Sequence, residues 1–204
     1  TDADQNTVVG FNALSSDTKG SQSVAIGQGA LFSQNFATSF DCNNVAVGHN
    51  AGVLSTTGVE NTLIGAFAGD ALTDADYNTA VGTNALSSDT TATDSHNTAV
   101  GYQAGKAVTT GVQNTFVGGL AGDGTDDGDA NVAVGYATLS ANCGDNNTAV
   151  GAGAMTGATG SDNTFMGRSA GLALSAGIKN TAVGAFALDR ETSGSFTTAV
   201  GYQA

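Results

Sequence analysis

The chain has no proline and no tryptophan, two cysteines, and only five Lys or Arg among 204 residues. Charged residues make up 11%, well below the ~25% of an ordinary soluble domain. Each shortage narrows the field. Cys42 and Cys143 are too few to build a disulfide framework. Five basic residues against 18 acidic ones leave a net charge of −13, which repels a nucleic-acid backbone and an anionic membrane face alike. That acidity serves solubility, since it keeps an elongated molecule from sticking to itself. No apolar run reaches the length of a membrane-spanning helix, so insertion into a bilayer is not expected. No signal peptide is visible, and a start at Thr1 instead of Met suggests a processed chain or an excised fragment. Low charge also argues against disorder, because disordered chains need charge and lack apolar residues.

What the chain does have is 30 glycines and a 40% apolar share made mostly of Ala and Val. A core of such small side chains must be thin and regular. The regularity is a repeat of the form Asn-Thr-Ala-Val-Gly, then two variable residues, then Ala. Its glycines are Gly10, Gly27, Gly48, Gly65, Gly82, Gly101, Gly118, Gly135, Gly151, Gly167, Gly184 and Gly201. Seven of the eleven spacings are 17 residues, and none falls outside 16–21. A fixed period of this size is the signature of a solenoid.

The columns differ in chemistry. The first is Asn in ten of twelve copies, with Ser23 and Thr197 the exceptions. The second is Thr in nine and Val in three, two side chains of one β-branched shape. The fourth is Val or Ile in all but the Met166 copy. β-Branched residues, a Gly in every copy and so short a unit disfavour helix and predict a short strand. The Gly marks a bend or a close approach by another backbone. Asn suits the strand entrance, since it tolerates the left-handed region, and stacked Asn amides form a ladder. The connections have two forms, Ala-Gly with a second apolar stretch (Ala51-Gly52, Ala104-Gly105, Ala170-Gly171) and Ala-Leu with a polar loop (Ala13-Leu14, Ala85-Leu86). The longer spacings fall in loops at 33–40 and 90–95.

One such unit cannot bury a core alone, so units must stack, and twelve strands ~4.8 Å apart make a rod about 55 Å long. The expected fold is all-β, a parallel β-solenoid of about twelve ~17-residue coils forming a single domain over 1–204, a piece of a longer fibre. Alternation puts the second and fourth columns on one face, which the Thr-to-Val exchanges suggest is the interior. The third column lies opposite yet is apolar in every copy, and its bulky members Val8, Leu63, Phe116 and Phe165 recur every third coil. A continuous apolar stripe marks an interface, so these residues are expected to meet other chains, most simply in a trimer. The same three-coil rhythm also fits a chain wound about a pseudo-threefold axis, with every third motif stacked, or recent duplication.

Ser23-Val24-Ala25-Ile26-Gly27 and the Asn-Thr-Ala-Val-Gly copies resemble the head repeats of YadA-like trimeric autotransporter adhesins, and more closely the related repeats of marine phage and algal virus tail fibres. The resemblance covers essentially the whole chain. It implies a left-handed, trimeric β-roll on a virion or bacterial cell surface, hence an extracellular location. The period here is longer than in the adhesin heads, and neither an anchor barrel nor a coiled-coil stalk is seen.

Chemistry beyond the repeat is sparse. His49 and His96 have no nucleophile constellation, so an enzyme is not expected, nor is a cofactor. The loop Asp123-Gly124-Thr125-Asp126-Asp127-Gly128-Asp129 offers Asp123, Asp126, Asp127 and Asp129 as a weak calcium site without the EF-hand spacing, with a solvated turn the simpler reading. Six coils separate Cys42 from Cys143, almost 30 Å, too far for a bridge. The expected function is therefore that of a structural and adhesive fibre segment. Its receptor or glycan contacts are expected at the positions after each motif Gly: Phe11, His49, Phe67, Tyr102, Tyr136, Phe186 and Tyr202. Packing between coils is the competing role for those rings. Two alternatives stand beside it, a structural filament subunit and an ice-binding solenoid.

Overall fold

The computed structural model describes residues 3–91 and 94–204. Twelve strands of three residues, the first Thr7–Val9 and the last Thr198–Val200, form one parallel sheet in sequence order. Each motif pairs with the next in exact register, as in Thr62↔Thr79, Leu63↔Ala80 and Ile64↔Val81. The chain is a parallel β-solenoid of stacked coils, and among the described residues no helix forms. Consecutive motifs stack, so winding about a pseudo-threefold axis is excluded. Insertions leave the ladder undisturbed. The residues at 36–39 bulge out beside a small extra pairing of Gly20–Ser21 with Phe40–Asp41, while Gln34 stays buried. Of the loop at 90–95, residues 92 and 93 lie outside the described residues.

The faces are the reverse of the expectation. The third column points into the coil: Leu63, Phe116 and Phe165 are buried with Ala25, Ala46, Ala80, Ala99, Ala133, Ala149 and Ala182. They are core residues and do not line an interface between chains. Val8, in the first coil, is 44% exposed. The Thr/Val and Val/Ile columns face outward.

The bulky members of the third column are accommodated by packing inside the coils. The residue after the conserved Ala takes a left-handed backbone in coil after coil, whether it is Leu31 (φ 48), Leu86 (φ 48) and Leu139 (φ 52) or Gly69 (φ 56), Gly122 (φ 63) and Gly171 (φ 64). That conformation aims a side chain into the coil. Where the third column is Ala, as in the Ala80, Ala133 and Ala149 coils, Leu86, Leu139 and Met155 fill the space and are buried. Where it is Leu63, Phe116 or Phe165, the left-handed residue is Gly. The Ala46 and Ala99 coils carry Gly there too, because Leu63 and Phe116 of the next coil reach over: a Cβ on Gly52 would lie 2.7 Å from Leu63 and one on Gly105 2.9 Å from Phe116. A Cβ on Gly122 would lie 2.5 Å from the Phe116 ring, one on Gly69 2.7 Å from Leu63, and one on Gly171 2.5 Å from Phe165. The two connection types are thus one backbone, with the same volume filled by the left-handed residue, by the coil's own third column or by a neighbouring coil's side chain. A Leu in the left-handed region costs about 1–2 kcal/mol, which its burial, worth about 1.5–3 kcal/mol, offsets.

Two backbone requirements fix the motif. Its Gly sits at φ values such as +140 for Gly82, and a Cβ there would overlap the Gly101 carbonyl of the next coil. The column therefore serves as bend and close approach at once. The Asn forms the expected ladder, with an added feature. Asn61 Oδ1 accepts the Asn78 backbone N–H at 2.9 Å, while Asn61 Nδ2 donates to the Ala75 carbonyl at 2.8 Å. The same pair of bonds ties Asn114 to the Asn131 N–H and the Gly128 carbonyl, both at 2.9 Å. Each amide thus ties its own coil's turn to the next coil's strand, satisfying buried backbone groups that would each cost about 1–3 kcal/mol unpaired. Ser23 interrupts the ladder, and the insertion repairs it: buried Gln34 accepts from Asn44 Nδ2 at 3.0 Å and donates to Ser23 Oγ at 3.3 Å.

Candidate interaction face and its rims

The functional candidate is the outer sheet surface. Its two columns hold only Thr, Val, Ile and one Met, so no charge lies on it despite the net charge of −13. Ile26, Ile64, Val100, Val117, Val134, Met166 and Val183 are all exposed, and the Thr hydroxyls alternate with them along each strand. Registered strands ~4.8 Å apart make these two columns continuous and evenly spaced along the rod. The sheet can offer a partner methyl groups and hydroxyls at a fixed pitch.

Two left-handed corners border this face. One precedes the Asn and carries Glu60, Tyr77 and His96 in successive coils, with φ between 51 and 62. There the Tyr77 and His96 rings stack at 4.8 Å with their planes 5° apart. The other follows the motif Gly and carries every aromatic residue singled out from the sequence. Phe11, His49, Tyr102, Tyr136 and Tyr202 occupy the first position after Gly and are exposed; Phe67 and Phe186 occupy the second and are half-buried. The rim is therefore one line along the rod. Part of it is committed to packing between coils: His49 meets Phe67 edge-on at 5.0 Å, Phe186 meets Tyr202 at 6.0 Å, and Arg168 sits 4.4 Å above the Phe186 ring. Tyr102 and Tyr136 have no such ring partner among the described residues.

The acidic loop does not gather its carboxylates. Asp126 accepts from the Thr109 hydroxyl, and Asp129 Oδ1 accepts the Val112 backbone N–H at 2.8 Å. Both thereby bond a neighbouring coil. Among the described residues no three His, Cys, Asp or Glu side chains converge on a point that suits a metal. Asp129 belongs to a second ladder, in which a residue two before the Asn accepts an N–H of the preceding coil: Asp76 from Val59 at 2.7 Å and Asp145 from Asp129 at 2.9 Å. The sequence carried a signal for it in the recurrence of Asp and Ser at that position. Cys42 and Cys143 are buried free thiols. Burial raises both, Cys42 to about 11, which leaves them protonated and unreactive at neutral pH.

Among the described residues Asp89 is the one fully buried carboxylate. Its Oδ1 accepts the Thr91 N–H at 2.9 Å and its Oδ2 accepts from Asn97 Nδ2 at 3.2 Å. Burial raises its pKa above the ordinary Asp range, against the lowering effect of those bonds. Its place is structural, closing the polar loop of an Ala-Leu coil. No family model, curated protein or solved structure matches the chain.

Proposed function

We propose that this chain is a structural and adhesive segment of a fibre on a virion or cell surface, in which copies of the chain pack against one another through the outward Thr/Val face. One observation carries the reading: an uncharged, evenly ruled strip runs the length of an otherwise acidic rod. Acidic rods repel, so close approach is cheapest where no charge has to be desolvated. The strip is about 55 Å long and two side chains wide, several hundred Å² with its rims, near the ~800 Å² per partner of a stable interface. A trimer wound to the left is the arrangement that the adhesin and tail-fibre resemblance implies. It uses the outward columns in place of Val8, Leu63, Phe116 and Phe165.

The test is sedimentation equilibrium on the chain and on an Ile64→Lys/Val183→Lys variant, whose changes lie on exposed positions. A wild-type multimer and a folded, monomeric variant support the proposal. A wild-type monomer across the accessible concentration range refutes it.

A second reading has its own observation. The nine Thr of the second column face outward, so the objection that they line the interior falls away. An array of threonine methyls and hydroxyls at constant pitch suits an ice surface. Thermal hysteresis from a monomeric wild type favours this reading, and its absence removes it.

A further inference from the structure

Gly119 stands apart from the motif glycines. Their backbone requires them, by a positive φ and by a neighbouring carbonyl that a Cβ would overlap. Gly119 has no left-handed φ, and a Cβ there would meet only the Tyr136 ring, at 3.6 and 3.9 Å, which is ordinary contact. The fold does not ask for glycine at this place. What its missing side chain does is leave open the ground between Tyr102 and Tyr136, which occupy the same coil position on either side of it. These rings are 57% and 63% exposed. They stand two coils apart, about 9.6 Å. Ala152 keeps the other flank of Tyr136 small. Gly119 lies in the turn that follows the strand Thr115–Val117, so it leaves a gap in the rim and not in the sheet.

An amide follows Tyr102 at the next position, where Tyr136 has Ala137. Gln103 follows Tyr102, as Asn12 follows Phe11, Asn50 follows His49 and Gln203 follows Tyr202. All four sit in the left-handed region with φ of 55–58, which fixes their direction on the rim. An aromatic plane beside a primary amide is the pairing that recognises a sugar: the ring takes the C–H face of a pyranose, and the amide both donates to and accepts from its hydroxyls.

From this we infer that the Tyr102–Gly119–Tyr136 stretch of the rim binds a neutral, extended, equatorially linked glycan lying along the rod. In such a chain alternate sugars present the same face, and each sugar advances by roughly one coil rise. Alternate sugars therefore stack on Tyr102 and Tyr136, and the inverted sugar between them lies over Gly119. The acidic surface selects against sulfated and uronate polymers. The inference rests on the adhesive part of the proposed function and is independent of how copies associate.

Saturation-transfer NMR and calorimetry with cellohexaose and chitohexaose test it, with a sulfated hexasaccharide as comparison. The proteins are the wild type, the Ile64→Lys/Val183→Lys variant, Tyr102→Ala, Tyr136→Ala and Gly119→Gln. Binding of a neutral hexasaccharide by both of the first two is expected. Each Tyr variant should weaken it roughly three- to tenfold. Gly119→Gln, which fills the ground without touching the core, should do so with an unchanged melting temperature. A well-folded protein that binds neither neutral glycan, that prefers the sulfated one, or that binds equally well as Gly119→Gln overturns the inference. A wild type that binds the neutral glycan but does not associate would count against the fibre interface alone.

Discussion

Phe116 and Gly122 provide a double-mutant test of how the core is filled. Phe116 is fully buried, and its ring occupies the volume that Leu86 and Leu139 fill in the fifth and eighth coils. Phe116→Ala should destabilise by about 3–5 kcal/mol, the lost transfer energy plus a residual cavity. Gly122→Leu alone must force a side chain into a place 2.5 Å from that ring, and it adds the cost of a left-handed Leu. Together these should cost about 2–5 kcal/mol. The double variant converts the seventh coil to the Ala-Leu form already present with Ala80 and Leu86. It should recover to within about 1–2 kcal/mol of the wild type, giving a coupling of several kcal/mol where independent sites would add. Urea unfolding followed by far-UV circular dichroism reads the energies, and hydrogen exchange at Thr115 and Val132 localises them, since repeat arrays need not unfold in two states. Additive destabilisation in the double variant would refute the idea that the two positions share one volume.

Gly82→Ala should cost more than about 2 kcal/mol, because its backbone is one that L-residues avoid and the new methyl meets the Gly101 carbonyl; thermal unfolding checks this. Asn114→Ala removes the partners of the Asn131 N–H and the Gly128 carbonyl and should cost about 2–4 kcal/mol. Asn131→Ala should cost less, because Asn131 Nδ2 is already without a partner where the period slips to 16 residues; calorimetric melting compares the two. The raised pKa of Asp89 means that the folded chain takes up its proton first on acidification. Stability should therefore rise as pH falls from neutral through that raised value towards the ordinary Asp range, and the gain should be smaller in Asp89→Asn, as melting curves between pH 7 and about pH 4 would record. Asp70 and Asp76 act in the same direction, while Asp74, lowered by the hydroxyls of Thr56 and Thr57, loses its contribution only below the ordinary range.

The stacking, its register and the purposes of the motif Gly and Asn were legible in the repeat, because each is a demand that every coil makes identically. The inside and the outside were not. Thr and Val together read as a face chosen for shape, and a column of Ala reads as filler. Only the correlation between columns separates them: Leu63 occurs with Gly69, Phe116 with Gly122 and Phe165 with Gly171, the coils before Leu63 and Phe116 also carry Gly (Gly52 and Gly105), while Ala80 occurs with Leu86 and Ala133 with Leu139. Side chains that trade volume in this way must share a closed space, and a column facing other chains would have no reason to follow its own coil's connection. The repair of the ladder by Gln34 could not be read at all, since it depends on an insertion folding back beside Ser23. The aromatic residues after the motif Gly were named from the sequence as contact candidates, and the structure divides them into rings that pack on neighbours and rings that stand free.

The most direct test of the account compares the chemical reactivity of two adjacent positions. Thr98→Cys and Ala99→Cys, each made in the Ile64→Lys/Val183→Lys background so that association does not cover the sheet, place a thiol on the outer face and in the interior. Buried Cys42 and Cys143 serve as protected standards. The account predicts rapid maleimide labelling at position 98 and protection at position 99 equal to that of the native thiols. Rapid labelling at 99 with protection at 98 would mean that the Thr/Val columns line the core, and it would contradict the outward face on which the proposed function stands.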